Sequence, residues 1–129
     1  MAKARILVVD DSEIVLIGFR KVLKEAGYDV EVTSEPEKAI EMVKSNFFDI
    51  VFTDLKMAKA SGKVICKKVK EFSPSTEVVI FSGSPHAVKD EFQEVIQSGA
   101  KDYFLRKPLS SDEILDAVDK ILKEKNNPV

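Results

Sequence analysis

The chain of 129 residues carries a single cysteine, Cys66, and a single histidine, His86. One thiol excludes an internal disulfide and a cysteine-based zinc centre, and it fits a reducing, cytoplasmic setting. Neither residue has metal-ligand company, so Cys66 reads as packing and His86 as a loop residue. No apolar run approaches the length of a membrane span, and the longest, such as residues 78–81, are strand-sized. The opening MAKARILVV is too short in apolar residues for a secretory signal and lacks a small-residue cleavage site. A net charge of −2 gives no bulk attraction for nucleic acid or an anionic membrane. Repeats, low-complexity tracts and linkers are also missing. The expectation is therefore one domain over residues 1–129, with its core in about 5–122 and a polar, frayed end over 123–129.

What is present is the balance of an ordinary globule, 44% hydrophobic and 33% charged. Apolar runs alternate with amphipathic segments from end to end. Residues 5–9, 29–33, 49–53, 76–81 and 101–105 read as strands rich in Val, Ile, Phe and Tyr. The first intervening segment has helical spacing at Val15, Leu16, Phe19, Val22, Leu23 and Ala26, with Gly27 as its stop. A second helix begins after Thr33 or Ser34, carries Pro36 in its first turn and buries Ala39, Ile40 and Val43. A third covers 63–72, and a fourth covers 87–98 and closes on Gly99. In the last, Ser110 and Glu113 match a capping box, and Ile114, Leu115, Val118, Ile121 and Leu122 form the buried face. Five such units predict an α/β domain, singly doubly wound as (βα)5, flavodoxin-like, with a parallel sheet of order 2-1-3-4-5.

Two apolar runs end on acids. Asp10 and Asp11 follow the first strand and Asp54 follows the third, in DIVFTDLKM. In the 2-1-3-4-5 order those strands are neighbours, so the three carboxylates converge beyond their carboxyl ends. Crowded carboxylates repel unless a cation sits among them, and a hard divalent ion such as Mg2+ suits an all-oxygen site. The plainer alternative has Asp10 or Asp11 capping the first helix and Asp54 starting a turn. Ser82 in FSGSP and Lys107 in LRKP reach the same edge, and an anion met by Mg2+, a hydroxyl and an ammonium is a phosphoryl environment. Between Asp54 and Glu71 stand six lysines (56, 59, 63, 67, 68 and 70) and no acid. They read as a solvated loop and helix face, with a basic field beside an anionic site as the alternative.

Val9-Asp10-Asp11-Ser12, Thr53-Asp54-Leu55-Lys56-Met57 with Gly62, Ser82-Gly83 and Lys107-Pro108 stand in that order at four strand ends. With them the chain resembles the receiver (CheY-like) domain of two-component response regulators. The resemblance implies that Asp54 accepts a phosphoryl group from a histidine kinase or a histidine phosphotransfer protein. Mg2+, with Mn2+ as the alternative ion, would be held by Asp10, Asp11, Asp54 and the backbone carbonyl of Lys56. Ser82 would bond one phosphoryl oxygen and Lys107 pair with another. Ser82 and an inward-turning aromatic would then switch the strand 4 and strand 5 face. Spacing back from Lys107 favours Phe104, whereas the Asp-Tyr pair favours Tyr103. Such a domain is a phospho-acceptor rather than an enzyme, at most catalysing its own phosphorylation and dephosphorylation. It needs no nucleic acid or membrane, and the face of helix 4, strand 5 and helix 5 is where a weak homodimer would form. The chain departs from the family at Ala58, where a proline is usual, and in a longer interval from Ser82 to Lys107. Loss of that proline implies a looser loop.

On the first helix, Ile14 and Ile17 point away from the buried face, near Lys21. Two isoleucines beside an acidic pocket form a docking patch for a donor's helix, against the common background of scattered apolar residues. Three rival readings remain. A pseudo-receiver would never be phosphorylated. A Mg2+-dependent phosphohydrolase would want an acid two residues after its nucleophile, where Lys56 stands. An FMN binder would be repelled by the first loop, DDSE.

Overall fold

The computed structural model describes residues 4–83, 89–101, 104–107 and 109–126. Strands and helices alternate as β1 (Arg5–Val9), α1 (Glu13–Glu25), β2 (Asp29–Thr33), α2 (Pro36–Ser45), β3 (Ile50–Asp54), α3 (Gly62–Phe72), β4 (Glu77–Ser82), α4 (Lys89–Gln97), β5 (Phe104–Arg106) and α5 (Ser111–Asn126). The five strands form one parallel sheet in the order β2-β1-β3-β4-β5. The predicted topology and sheet direction hold.

Period-two alternation sorts the apolar residues onto two faces. Leu7, Val9, Val51, Val78 and Ile80 pack with Ala39, Val43, Ile65, Val69 and Val95 of α2, α3 and α4. Ile6, Val8, Ile50, Phe52, Val79 and Phe81 pack with Leu16, Phe19, Leu23, Ile114, Val118 and Ile121 of α1 and α5. Covered on both sides, β1, β3 and β4 are near-continuous runs of buried residues. The edge strand β2 keeps Asp29 and Glu31 exposed, charges that discourage pairing with another sheet. No helix among the described residues is long and apolar enough to cross a membrane.

Local chemistry sets the helix ends. Gly27, at φ +96°, closes α1: its N–H donates to Lys24 O at 3.0 Å, and Tyr28 N–H donates to Leu23 O at 3.0 Å. The capping box of α5 is reciprocal. Glu113 N–H donates to Ser110 Oγ at 3.1 Å, and Ser110 N–H donates to Glu113 Oε1 at 3.2 Å. Cys66 is fully buried, its thiol 3.6 Å from Ser98 O, and burial pushes that thiol up to about 11. It is packing, as read. His86 lies outside the described residues.

Several boundaries differ from expectation. β5 starts at Phe104 instead of residue 101, and Lys101 instead joins Glu77 at 3.3 Å and Glu124 at 2.9 Å. α5 runs through Asn126, past Lys123 where the polar end was expected to begin. Lys125 ties that last turn down, donating to Ser75 O at 2.8 Å and Asp49 O at 3.4 Å, with its ammonium 5.6 Å from the Phe47 ring. Strands β3 and β4 each run one residue further than expected, so Asp54 and Ser82 are themselves ladder residues, opposite Phe81 and Arg106.

Gly62 opens α3 directly against the end of β3. A Cβ there would lie 2.8 Å from Asp54 O and 3.1 Å from Leu55 Cα, both backbone atoms that cannot swing aside. Overpacking of this kind costs ~1–3 kcal/mol, against a gain of up to ~1 kcal/mol for Ala over Gly in a helix. Gly62→Ala is therefore expected to lower the urea midpoint, and an unchanged midpoint would contradict this packing.

Candidate functional site

Parallel strands in register end at one edge, and the predicted polar residues gather there. Asp10 follows β1, Asp54 closes β3, Ser82 closes β4 and Lys107 follows β5. Carboxylate oxygens of Asp10, Asp11 and Asp54 all lie within 4.8 Å of one another. The convergence inferred from strand order is present.

Each carboxylate is held differently. Asp10 is fully buried; its Oδ1 accepts Ser12 N–H at 2.8 Å and its Oδ2 lies 2.6 Å from Lys107 Nζ. Asp54 is 5% exposed; its Oδ2 accepts Lys107 Nζ at 3.0 Å and its Oδ1 accepts Lys56 N–H at 3.4 Å. Asp11 is exposed, and its Oδ2 accepts Ala58 N–H at 3.2 Å. The capping alternative does not hold: Ser12 is the N-cap of α1 and no side chain caps it, while Asp10 turns the chain through Ser12 N–H and lines the cluster.

Lys107 bridges Asp10 and Asp54, a pairing that sequence alone did not anticipate. Its N–H also donates to Ser82 O at 3.0 Å, which fixes the β5 end beside β4. Burial disfavours the ammonium, but its hydrogen bonds to Asp10 and Asp54 and the charges of both outweigh it, so Lys107 titrates above its ordinary range. Burial pushes Asp54 above its ordinary pKa; the Lys107 hydrogen bond and charge pull it back, and Asp10 pushes it up again. One ammonium shared by two acids keeps its own proton firmly without fully stabilising either anion.

Asp10 Oδ2 is buried with no hydrogen-bond partner beyond the contact with that ammonium. An under-satisfied buried oxygen, within reach of oxygens from two further acids, fits a small hard cation that takes oxygen ligands. Asp10, Asp11 and Asp54 are the residues that could hold it. Lys56 follows at the start of the next loop, with its N–H on Asp54. Ser82 is buried at the end of β4.

Other expectations divide. Phe104 enters β5 opposite Ile80, but its side chain, with all of Tyr103 and Pro108, lies outside the described residues. The lysine run is largely neutralised: Lys56, Lys59, Lys63 and Lys68 pair with Glu91, Glu35, Glu94 and Glu71. Lys70 donates to Thr76 O at 2.6 Å. This favours the solvated-face reading over a basic field. Ile14 and Ile17 are 82% and 63% exposed, and Lys21 is exposed. Beside them, an apolar cavity of about 550 Å³ between α1 and the start of α5 is lined by Ile14, Val22, Leu109, Ile114 and Lys107. That cavity was missed, because it forms between segments some ninety residues apart in the chain, roughly the span from α1 to α5.

Comparison with known proteins places this geometry. The chain is 32% identical over 121 residues to the alginate biosynthesis transcriptional regulatory protein AlgB of Pseudomonas syringae, covering 94% of this chain and 26% of that protein. It thus spans about a quarter of the length of such relatives. The chemotaxis protein CheY of Bacillus subtilis is 31% identical over 121 residues, covering 92% of this chain and 97% of that one. A CheY-like receiver domain protein from Methanospirillum hungatei shares the fold, with a TM-score of 0.90, 23% identity and 98% of each chain covered. The beryllofluoride-activated NtrC4 receiver domain dimer follows at a TM-score of 0.84 and 30% identity, over 94% of this chain and 98% of that one. A family profile described as the response regulator receiver domain matches residues 6–119. With its sheet order, its acidic edge and that match over most of its length, the chain belongs to the response regulator receiver domain family.

Proposed function

We propose that this chain takes a phosphoryl group onto Asp54 in a Mg2+-dependent transfer from a histidine kinase or a histidine phosphotransfer protein. The observation that carries the reading is the convergence of Asp10, Asp11 and Asp54, with Lys107 paired to Asp10 and Asp54. In the transfer, a carboxylate oxygen of Asp54 bonds to phosphorus as the P–N bond of the phosphohistidine breaks. The imidazole keeps the electron pair and takes up a proton. A divalent ion held by Asp10, Asp11, Asp54 and the Lys56 carbonyl supplies charge neutralisation at the phosphoryl oxygens.

The chain's own groups do the rest. Lys107, already on Asp54, is placed to pair with a phosphoryl oxygen, and Ser82 at the next strand end is placed to donate its hydroxyl to another. Their engagement would draw the ends of β4 and β5 toward the acceptor, which is the switch, with Ser82 and either Phe104 or Tyr103 as its moving parts. Ile14, Ile17 and Lys21 form the docking patch for a donor helix, continuous with the apolar cavity that reaches Lys107.

Intact mass after acetyl phosphate and Mg2+ tests the acceptor. The parent chain is expected to gain one PO3 group and Asp54→Asn none; a gain in both would move the acceptor elsewhere. For the docking patch, Ile17→Glu is expected to slow transfer from a cognate kinase by about tenfold or more, as loss of an interface anchor does. Acetyl phosphate should still modify that variant at the parent's rate, and equal slowing by both routes would remove the patch from the scheme.

Asp54 also carries a pH signature. Its folded pKa is raised, so the folded chain holds that proton more tightly than the unfolded chain does. The resulting destabilisation is absent below the ordinary carboxylate range and complete above the raised value. In metal-free buffer, Asp54→Asn should therefore melt above the parent at pH 7, with the gap narrowing as pH falls toward about 4. Melting below the parent at neutral pH would mean that the carboxylate stabilises the fold.

A further inference from the structure

We propose that the backbone N–H of Ala58 is a positioning group for the acidic cluster, setting the carboxylate of Asp11 for a divalent ion. The inference rests on the proposed Mg2+-dependent reading of the same site. Asp10 and Asp54 are buried and fixed by Lys107, but Asp11 is exposed on the bend just past β1. Among the described residues its side chain has one hydrogen bond, from Ala58 N–H to Oδ2 at 3.2 Å. Without it, repulsion from Asp10 and Asp54 would turn an exposed aspartate toward water. With it, Oδ2 is occupied by a neutral donor and Oδ1 remains for a cation.

The donor is itself well placed. Beyond β3 the chain folds back as a narrow loop whose rungs are Gly62 N–H to Leu55 O at 2.8 Å, a bridge between Lys56 and Ser61, and Met57 N–H to Ala60 O at 3.1 Å. Ala58 and Lys59 form the tip. As the second residue of the tight turn at 57–60, Ala58 stands outside the rungs, so its N–H is available to a group beyond the loop. That group is Asp11, 47 residues earlier in the chain. The looseness expected from alanine at this position is thus offset by a contact that proline could not make, since proline has no N–H.

Like every described non-glycine residue, Ala58 has no positive φ, so Ala58→Pro removes the donor without meeting a left-handed backbone. The experiment measures Mn2+ binding to the unphosphorylated chain by electron paramagnetic resonance, with melting temperatures alongside. Ala58→Pro is expected to bind Mn2+ about fivefold more weakly at an unchanged or higher melting temperature, the scale of one exposed hydrogen bond to a charged group. Ala58→Ser, which restores the N–H, is expected to bind as the parent does. In the parent's amide spectrum the Ala58 proton should resonate downfield and move upfield in Asp11→Ala. Equal or tighter binding by Ala58→Pro, in a parent that binds Mn2+, overturns the inference and leaves the phospho-acceptor reading standing. A parent that binds no Mn2+ overturns both. Should Ala58→Pro not fold, an Ala58 amide resonance indifferent to Asp11→Ala overturns the inference by itself.

Discussion

Three converging carboxylates, only two of them paired with the one lysine ammonium among them, form an arrangement that is not electrostatically balanced. At the effective dielectric of a protein surface, two unit charges 4 Å apart interact by ~4 kcal/mol, so each unmatched pair matters on the scale of whole-domain stability. Lys107 divides itself between Asp10 and Asp54. Burial raises Asp54 by more than the shared lysine lowers it, and two anions raise the lysine against its own burial, so both partners of one ion pair titrate upward. The lysine gains from two anions, whereas Asp54 gains from one cation and loses to burial and to Asp10. Such a site has affinity left over for positive charge, and a neutral or fully paired site would not.

The scaffold is what keeps the imbalance in place. Strands β1 and β3 are central and buried on both faces, so Asp10 and Asp54 cannot retreat into water without unpacking Val8, Val9, Phe52 and Thr53 behind them. The other edge of the sheet is built on the opposite plan. There Lys70 caps Pro74 O and Thr76 O, Lys125 caps Ser75 O and Asp49 O, and Thr76 Oγ1 donates to Phe48 O at 2.6 Å. Polar groups at that end are matched, by carbonyl oxygens and by ion pairs such as Lys101 with Glu77 and Glu124. The two edges share one core but differ in what they leave unmet, and ligands gather where something is unmet.

Much of this was written locally in the chain. Alternating apolar runs gave the sheet, Gly27 gave the end of α1, and Ser110 with Glu113 gave the start of α5, each through contacts within a few residues. Asp10, Asp11, Asp54, Ser82 and Lys107 were legible because parallel strands leave one edge for their carboxyl ends. What escaped depends on distant partners. Lys125 looked like a frayed tail until its carbonyl acceptors, fifty or more residues away, came into view. The lysine run read as a solvated face, but its partners, Glu35 before α2 and Glu91 and Glu94 of α4, were not legible in the sequence. Ala58 looked like a loss of stiffness, since a backbone N–H has no signature in sequence.

Lys107 belongs to both the charged edge and the apolar cavity beside α1, and this joins recognition to chemistry in physical terms. Its ammonium holds Asp54 while its stem lines the cavity with Ile14, Leu109 and Ile114. An apolar helix seated there would exclude water from a side chain that is now 20% exposed. Lower local dielectric would strengthen the pairing of that ammonium with Asp54 and, under the proposed function, with a phosphoryl oxygen. A partner seated there would not need to touch Asp54 to alter its surroundings; covering the lysine's flank would be enough.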